Sequence, residues 1–414
     1  MSSLPIRSVT CFAAFLLLFV ISAAGLSAQD QVASPATNTA EIEPIAHILC
    51  GKQVALLGEP PIHGFGYTLE FKVQLVRRLV DECHYNAIFV ESGVYDYIHI
   101  ERELRSGHDV SESMISAAIG GLWANREVEA MVPFLRERVK SGRLTLGGLD
   151  DQIGAGSYAS LQMAPDLVQP LHGDDKARCL AILQRHLLWK YTKDAPYGPQ
   201  DKNNMLGCLS EIQTQLSSAR EDKRSIEEDQ AMIDSLQRNL ARDFTEDDFT
   251  NKDQKLKWLN DRDRSMYLNY KWLLAQLPPK SKVIVWAATV HTAKNLSGVE
   301  GDEGRIPFGS YIHNKRKDGA FSLGFSAYSG QYAFIHQPIR RLGDAPPSSL
   351  EAQIFAHTNS DVVYLSGKQL KKYNSVAARP LGTAFTTAHW DRVMDGLVLF
   401  RAERAPAWMK HPNP

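Results

Sequence analysis

Cysteine is scarce in this chain of 414 residues, five in all, and no two of them form a Cys-x-x-Cys pair. That removes the thioredoxin motif and the zinc ribbon, each of which needs two thiolates at that spacing. An excess of one charge is also missing: 46 lysines and arginines face 47 acids, a formal net charge of −1. Such a balance gives no electrostatic reason for a nucleic-acid or anionic-membrane partner. There is no Gly-x-Ser-x-Gly, no Gly-x-x-x-x-Gly-Lys-Ser/Thr, no His-Glu-x-x-His, and no Gly-x-Gly-x-x-Gly following a strand. The serine nucleophile elbow, the phosphate loop, the zinc-protease helix and the dinucleotide fingerprint therefore find no support.

Long apolar runs are equally scarce. One stretch, residues 11–21, stands out, with Arg7 as the only charged side chain before it. Small residues follow over 22–28, then polar Gln29-Asp30-Gln31. Basic start, short apolar core and small-residue exit read as a secretory signal, with cleavage expected after Ala28. The run is shorter than the roughly 20 apolar residues of a membrane span. An uncleaved anchor is the alternative. On the secretory reading the mature protein is soluble, and periplasmic or secreted. Cys50, Cys83, Cys179 and Cys208 remain in it, an even number that permits two disulfides in three connectivities. The pairs Cys50–Cys83 and Cys179–Cys208 would each lie within one region, and buried free thiols are the alternative.

Residues 29–43, rich in Ala, Ser, Thr and acids, read as a flexible leader. An alternation of strands and helices then begins. Gln53-Val54-Ala55-Leu56-Leu57 ends at Gly58 as a buried parallel strand does. Phe71, Leu75, Val76, Leu79, Val80 and Cys83 share one helical face, with Lys72, Arg77, Arg78 and Asp81 elsewhere. A second apolar run, Ala87-Ile88-Phe89-Val90, is followed by a helical pattern over 128–139 and a third strand over 144–149. This order predicts an α/β fold, a mostly parallel sheet flanked by helices. From about residue 165 the pattern turns helical, over 176–193, 202–242 and 253–277, and its many charges need only solvated faces. A fourth strand, Val283-Ile284-Val285-Trp286-Ala287, and shorter ones near 321–325, 361–365 and 396–401 complete the sheet. The expected organisation is a signal (1–28), a leader (29–43), the first part of an α/β core (44–164), a helical insertion subdomain (165–277), the second part of the core (278–408) and a tail (409–414).

The ends of these strands carry the chemistry. The first runs into Gly58-Glu59 and then His63-Gly64, the second ends at Glu91, the third at Asp150-Asp151, and the fourth leads to His291. Parallel strands point their carboxyl ends the same way, and ligands of open sheets bind in the crevice beyond them. Carboxylates and imidazoles delivered to one edge suit hydrolysis, since a neutral His can take the proton of an attacking water. A neighbouring carboxylate orients the imidazole and stabilises its charged form. Glu59 with His63, and Glu91 with His291, are the candidate pairs. Each residue also has a plain structural reading: His63-Gly64 as a turn after Pro60-Pro61, Glu91 and Asp150 as helix caps, His291 as a structural hydrogen-bonding residue.

Several segments, in order, resemble the erythromycin esterase family. Gly58-Glu59-Pro60-Pro61-Ile62-His63-Gly64 is similar to its Gly-Glu-x-x-His-Gly, with one residue more between Glu and His. Ala87-Ile88-Phe89-Val90-Glu91, Trp123-Ala124-Asn125-Arg126-Glu127 with Leu135-Arg136, and Gly148-Leu149-Asp150 match further segments. So do Arg264-Ser265-Met266-Tyr267-Leu268-Asn269 with Trp272-Leu273, and the closing Asp395-Gly396-Leu397-Val398-Leu399-Phe400. Trp286-Ala287-Ala288-Thr289-Val290-His291 compares with a strand ending Trp-Ala-His-Asn-x-His, so that Ala288 and Thr289 stand where the family has His and Asn. The resemblance implies a deep cleft in which a His-centred site activates water against a macrolide-type lactone. Carried over, His63 is the general base and Glu59 its partner. Glu91 and His291 complete the catalytic set, and Arg264, Asp150 and Trp123 contact substrate.

The resulting expectation is a carboxylic ester hydrolase, an esterase or lactonase acting on a small molecule, with no cofactor and no metal. A metal-dependent hydrolase, using the mixed oxygen and nitrogen donors of Glu59, His63, Glu91, Asp150 and His291, is one alternative. A non-catalytic or degenerate binding protein, motivated by Ala288, is the other. The helical region is expected to form a wall of the cleft.

Overall fold

Short runs of aliphatic residues, buried on both faces, form the strands at the centre of this computed structural model, which describes residues 39–216, 222–242 and 251–409. The secretory signal expected over 1–28 lies outside them. The strands are β1 (Val54–Leu57), β2 (Ala87–Gly93), β3 (Thr145–Asp150), β4 (Val283–Trp286), β5 (Ala320–Tyr332), β6 (Arg340–Leu342), β7 (Val362–Ser366), β8 (Ser375–Ala378), β9 (Thr386–His389) and β10 (Gly396–Glu403). The main sheet has the order β3-β2-β4-β1-β5-β10-β7, with β6 paired to β5, while β8 and β9 form a separate hairpin. Neighbours from β3 to β10 run parallel. Within the main sheet β7, at the edge, and β6 run antiparallel to their partners. β5, expected to be short, spans 13 residues and is the longest strand.

Two apolar layers cover this sheet. On one face Leu57, Val90 and Trp286 pack with Leu69, Val76 and Leu79 of the helix Gly66–Asp81 and with Ile45 and Leu49 of the helix Thr39–Cys50. That first helix takes in residues 39–43, which composition had placed in the leader. Ile42 and Ile45 are buried, and an apolar face of this kind orders a helix. On the other face Leu56, Phe89, Leu149 and Val285 pack with Met266 and Tyr270 of the helix Lys252–Gln276. The pattern over 128–139 is broken into Arg126–Glu129 and Val132–Lys140, with Pro133 in the first turn of the second helix, where its missing N–H costs nothing.

The helices Gly173–Leu187, Pro199–Leu216 and Lys223–Ala241 build a further apolar cluster shared with Val94, Tyr95 and Ile98. A buried polar contact also ties it to the sheet: the Arg242 guanidinium donates to fully buried Asp151 just after β3, which accepts from the Ser265 hydroxyl of the helix Lys252–Gln276 as well. Both expected disulfides form. Cys50–Cys83 has a Cα separation of 4.7 Å and ties the first helix to the chain leaving the helix Gly66–Asp81. Cys179–Cys208 closes a helix pair with a Cα separation of 5.4 Å. The second bridge closes a loop of 29 residues. Its removal by Cys179→Ser with Cys208→Ser is expected to cost about 2–4 kcal/mol, measured by urea unfolding. A cost below about 0.5 kcal/mol would show that the helix pair holds without its bridge.

Candidate active site

The register sets the site. Leu57 and Val90 both pair with Trp286, so one row of residues crosses β1, β4 and β2 at the same height. Beyond that row each strand releases a polar group at the carboxyl rim. Glu59 follows β1, Asp150 closes β3, and β4 turns through Ala287-Ala288 into the single turn Thr289–Thr292 that holds His291. Glu91 sits where the pairing of β2 with β3 slips between Val90 and Gly93, an irregularity that re-aims a side chain. All of these groups, and His63, are at most 5% exposed. The exit of β4 joins them, since the Thr289 amide donates to the Glu59 carbonyl at 2.6 Å and the Ala288 amide to Glu91 Oε2 at 2.7 Å. Ala288 thus supplies an N–H where the resemblance expects an imidazole.

Glu59 lies on the face of the helix Gly66–Asp81. Its Oε1 meets His63 Nδ1 at 2.8 Å and accepts from Trp123 Nε1 at 2.6 Å. Its Oε2 is 3.1 Å from Lys72 Nζ, an ion pair without aligned hydrogen-bond geometry. Lys72 is fully buried, with its ammonium 4.0 Å from the centre of the Trp286 ring. Burial pulls that ammonium down to about 8, against the pull of Glu59 and Glu91. Burial would raise the Glu59 carboxyl, yet Lys72, His63 and Trp123 together hold it below its ordinary value. His63 occupies the left-handed backbone region at φ 51°, unusual for a residue with a Cβ, in a turn closed by its amide on the Pro60 carbonyl at 3.0 Å. The turn expected at this residue is thus realised, and within it the ring is held on Glu59. No hydrogen bond reaches its Nε2 from the described residues.

Glu91 lies on the opposite face. Its Oε1 is 3.0 Å from Arg262 Nη2 and 3.1 Å from His291 Nε2. Arg262 also donates to Asp150, with Nε 3.1 Å from Oδ2. His291 Nδ1 is 2.7 Å from Asp263 Oδ1, which in turn accepts from the Phe308 amide at 2.9 Å. Burial opposes a charge on His291, but Asp263 and Glu91 outweigh it and raise the ring to about 9. Burial likewise opposes the Glu91 charge, and His291, Arg262 and His63 hold that carboxyl well below its ordinary value. His291, expected among the catalytic residues, is therefore an imidazolium with both nitrogens engaged. Its Nε2 lies 3.1 Å from Glu91 Oε1 and 3.2 Å from Arg262 Nη1, while the Nε and Nη2 of that guanidinium donate to Asp150 and Glu91.

Arg264 does not belong here. It is exposed, while Arg262 and Asp263 of the same helix enter the site, because residues two apart on a helix point about 200° apart. The signal was the helical face itself: Arg262, Asp263, Met266, Asn269 and Tyr270 form the stripe toward the sheet. Lys72 was also missed and assigned to the polar side, although it falls between Leu69 and Val76 at the apolar spacing. Trp123 is buried and orients Glu59, and Asp150 is buried against Arg262. The rest of the Trp123 motif is structural, since Asn125 caps the next short helix and Glu127 holds Arg404. Among the described residues no three His, Cys, Asp or Glu side chains converge as metal ligands. Between Glu91 and Asp150 stands the Arg262 guanidinium.

The raised value for His291 has a consequence for stability. A His whose charge is favoured in the folded state contributes fully below its unfolded value near 6.5 and loses that contribution as pH rises through about 9. His291→Gln is therefore expected to be several-fold more destabilising at pH 6 than at pH 10, measured by urea unfolding at both. Equal effects would mean that the ring is neutral in the fold.

Comparison with known proteins agrees with this arrangement of strands. The erythromycin esterase family profile matches residues 80–403, a span that includes Glu91, Asp150, Arg262 and His291 and begins after His63. The Bacillus subtilis (strain 168) protein "Putative hydrolase YbfO" is 23% identical over 416 residues, covering 94% of this chain and 90% of its own. Three solved structures share the fold. A Bacillus cereus protein has a TM-score of 0.65 at 16% identity, covering 90% of this chain and 94% of its own. A succinoglycan biosynthesis protein has 0.65 at 13%, covering 91% and 94%. A mutant of the erythromycin esterase EreC in its open conformation has 0.63 at 14%, covering 89% and 95%. With well over half of its length matched, the chain belongs to the erythromycin esterase family.

Proposed function

We propose that this protein hydrolyses an ester or lactone of a small molecule with water activated by His63. The observation that carries the reading is the asymmetry of the two histidines. His63 has Nδ1 fixed on Glu59 and an unengaged Nε2, whereas His291 uses both nitrogens. A neutral His63 takes a proton from water at Nε2 as the water oxygen bonds to the acyl carbon. Glu59, kept ionised by Lys72, stabilises the imidazolium that forms. The cations Arg262 and His291 supply the positive field in which the carbonyl oxygen takes up charge. When the acyl C–O bond breaks, His63 returns the proton to the leaving alkoxide, and the products are an acid and an alcohol.

Family membership and a relative named as a hydrolase support the reaction class. The choice of an ester or lactone within that class rests on the site residues and on the name of the family. Two disulfides support an exported protein, periplasmic or secreted, because such bonds persist in oxidising compartments. The cleft-wall role of the helical region 165–277 is supported by Arg262 and Asp263, both on its last helix.

On a panel of model esters and macrolides, His63→Ala is expected to lower turnover by at least about 10²-fold, the low end for loss of a general base. Equal rates for the two proteins would count heavily against the esterase reading, and no turnover by either would leave a binding protein instead. Hydrolysis is also expected to survive exhaustive chelation; its loss, with recovery on adding Zn²⁺ or Mn²⁺, would favour a metal-dependent reaction.

A further inference from the structure

The helix that carries Lys72 begins three residues after His63 and lacks its own cap. Phe65, at its N-cap, makes no side-chain cap bond, and its first turn contains no acidic residue. The missing acceptor comes from the far end of the chain. Glu403, the last residue of β10, is 4% exposed and takes hydrogen bonds from the Tyr67 amide at 3.0 Å, the Thr68 amide at 2.9 Å, the Thr68 hydroxyl at 2.6 Å and the Arg404 amide at 3.2 Å. A carboxylate at this place meets both the unpaired N–H groups and the positive end of the helix dipole.

Backbone contacts tighten the same junction. The Gly66 amide donates to the Arg404 carbonyl at 2.7 Å, and the Ala333 amide, just past β5, donates to the Gly64 carbonyl at 3.2 Å. A Cβ on Gly64 would lie 2.2 Å from the Ala333 oxygen, and one on Gly330 would lie 2.1 Å from the Glu403 oxygen. Glycine is thus required on both sides of the grip, for close backbone approach at Gly64 and also for a φ of 122° at Gly330. The guanidinium of the next residue, Arg404, is committed elsewhere, to Glu70 at 3.1 Å and to Glu127. Glu403 therefore has amides and one hydroxyl, and no cation, to hold it. Burial pushes its carboxyl up to about 7 against those four donors.

We propose that Glu403 is a positioning residue for His63 and Lys72, fixing the loop 63–66 and the first turn of the following helix against the ends of β5 and β10. This inference rests on His63 being the base. Rotation or fraying of that turn moves His63 at one end and Lys72, one helical turn beyond Thr68, at the other. Both hold Glu59, so the loss falls on the geometry of the imidazole and only weakly on substrate affinity.

Glu403→Gln keeps the shape, removes the charge and turns an amide donor toward backbone N–H groups. It is expected to lower kcat by about 10- to 10²-fold, the scale of a misplacement near 1 Å. KM should stay within about twofold, the pattern of an interaction realised in the transition state. In the ligand-free protein the ¹⁵N signals of the His63 ring, identified by their loss in His63→Ala, should shift. Thr68→Val, which removes one donor only, should shift them the same way by less, and it decides the matter if Glu403→Gln does not fold. The Cys179→Ser, Cys208→Ser variant, destabilised elsewhere, should leave the His63 signals in place. Unchanged His63 signals in Glu403→Gln and Thr68→Val, whatever their Tm, would overturn the proposal. A wild type that cleaves no ester would count against the hydrolytic reading alone, because the ring signals report position without substrate.

Discussion

The Glu59 carboxylate is the group on which the rim depends. One oxygen holds the His63 ring and the Trp123 indole, the other faces a buried ammonium, and the residue's own carbonyl receives the Thr289 amide. Four chain segments, the exit of β1, the helix Gly66–Asp81, the turn at Trp123 and the exit of β4, thus converge on one residue. Taking that charge out of water is unfavourable by several kcal/mol, and only near-complete pairing offsets it. Removing a partner leaves part of that buried charge uncompensated.

The same constraint extends across the sheet. Glu59, Glu91, Asp150 and Asp263 are matched by Lys72, Arg262 and His291, with Arg305 3.8 Å from Asp263. His63 lies at the boundary between the two groups, with its Nδ1 on Glu59. One group is carried by the helix Gly66–Asp81 and the other by the helix Lys252–Gln276, on opposite faces of the sheet. At the rim, side chains from both layers meet. Lys72 and His63 both act on Glu91 from across the sheet, so the two groups form one electrostatic unit.

Much of the architecture was legible because burial leaves a periodic trace. The strands at 54–57, 87–90, 283–286 and 396–400 are apolar runs that only a doubly covered sheet explains, and their polar exits announced Glu59, Glu91 and His291. The disulfide pairs followed from spacing within regions. Lys72 escaped because a lysine on an apolar face is ordinarily a solvated residue at a face boundary, and nothing local reveals a buried carboxylate opposite it. Arg262 escaped because a run of alternating charges, Asp261-Arg262-Asp263-Arg264, offers several arginines, and only the phase of the helix against the sheet selects one.

Local pattern therefore determined the strand order of events along the chain, the parallel α/β class and the delivery of acids and imidazoles to a common edge. These follow from hydrophobic periodicity and from the shared direction of parallel strands. Tertiary structure alone decided which histidine is free and which is a locked imidazolium. Protonation in the interior is set by the groups that face a ring, and Asp263 and Glu91 reach His291 from separate segments of the chain. The capping of the His63 helix by Glu403, 335 residues away from Thr68, was likewise beyond any local signal, because its cause is the meeting of β10 with a distant helix end.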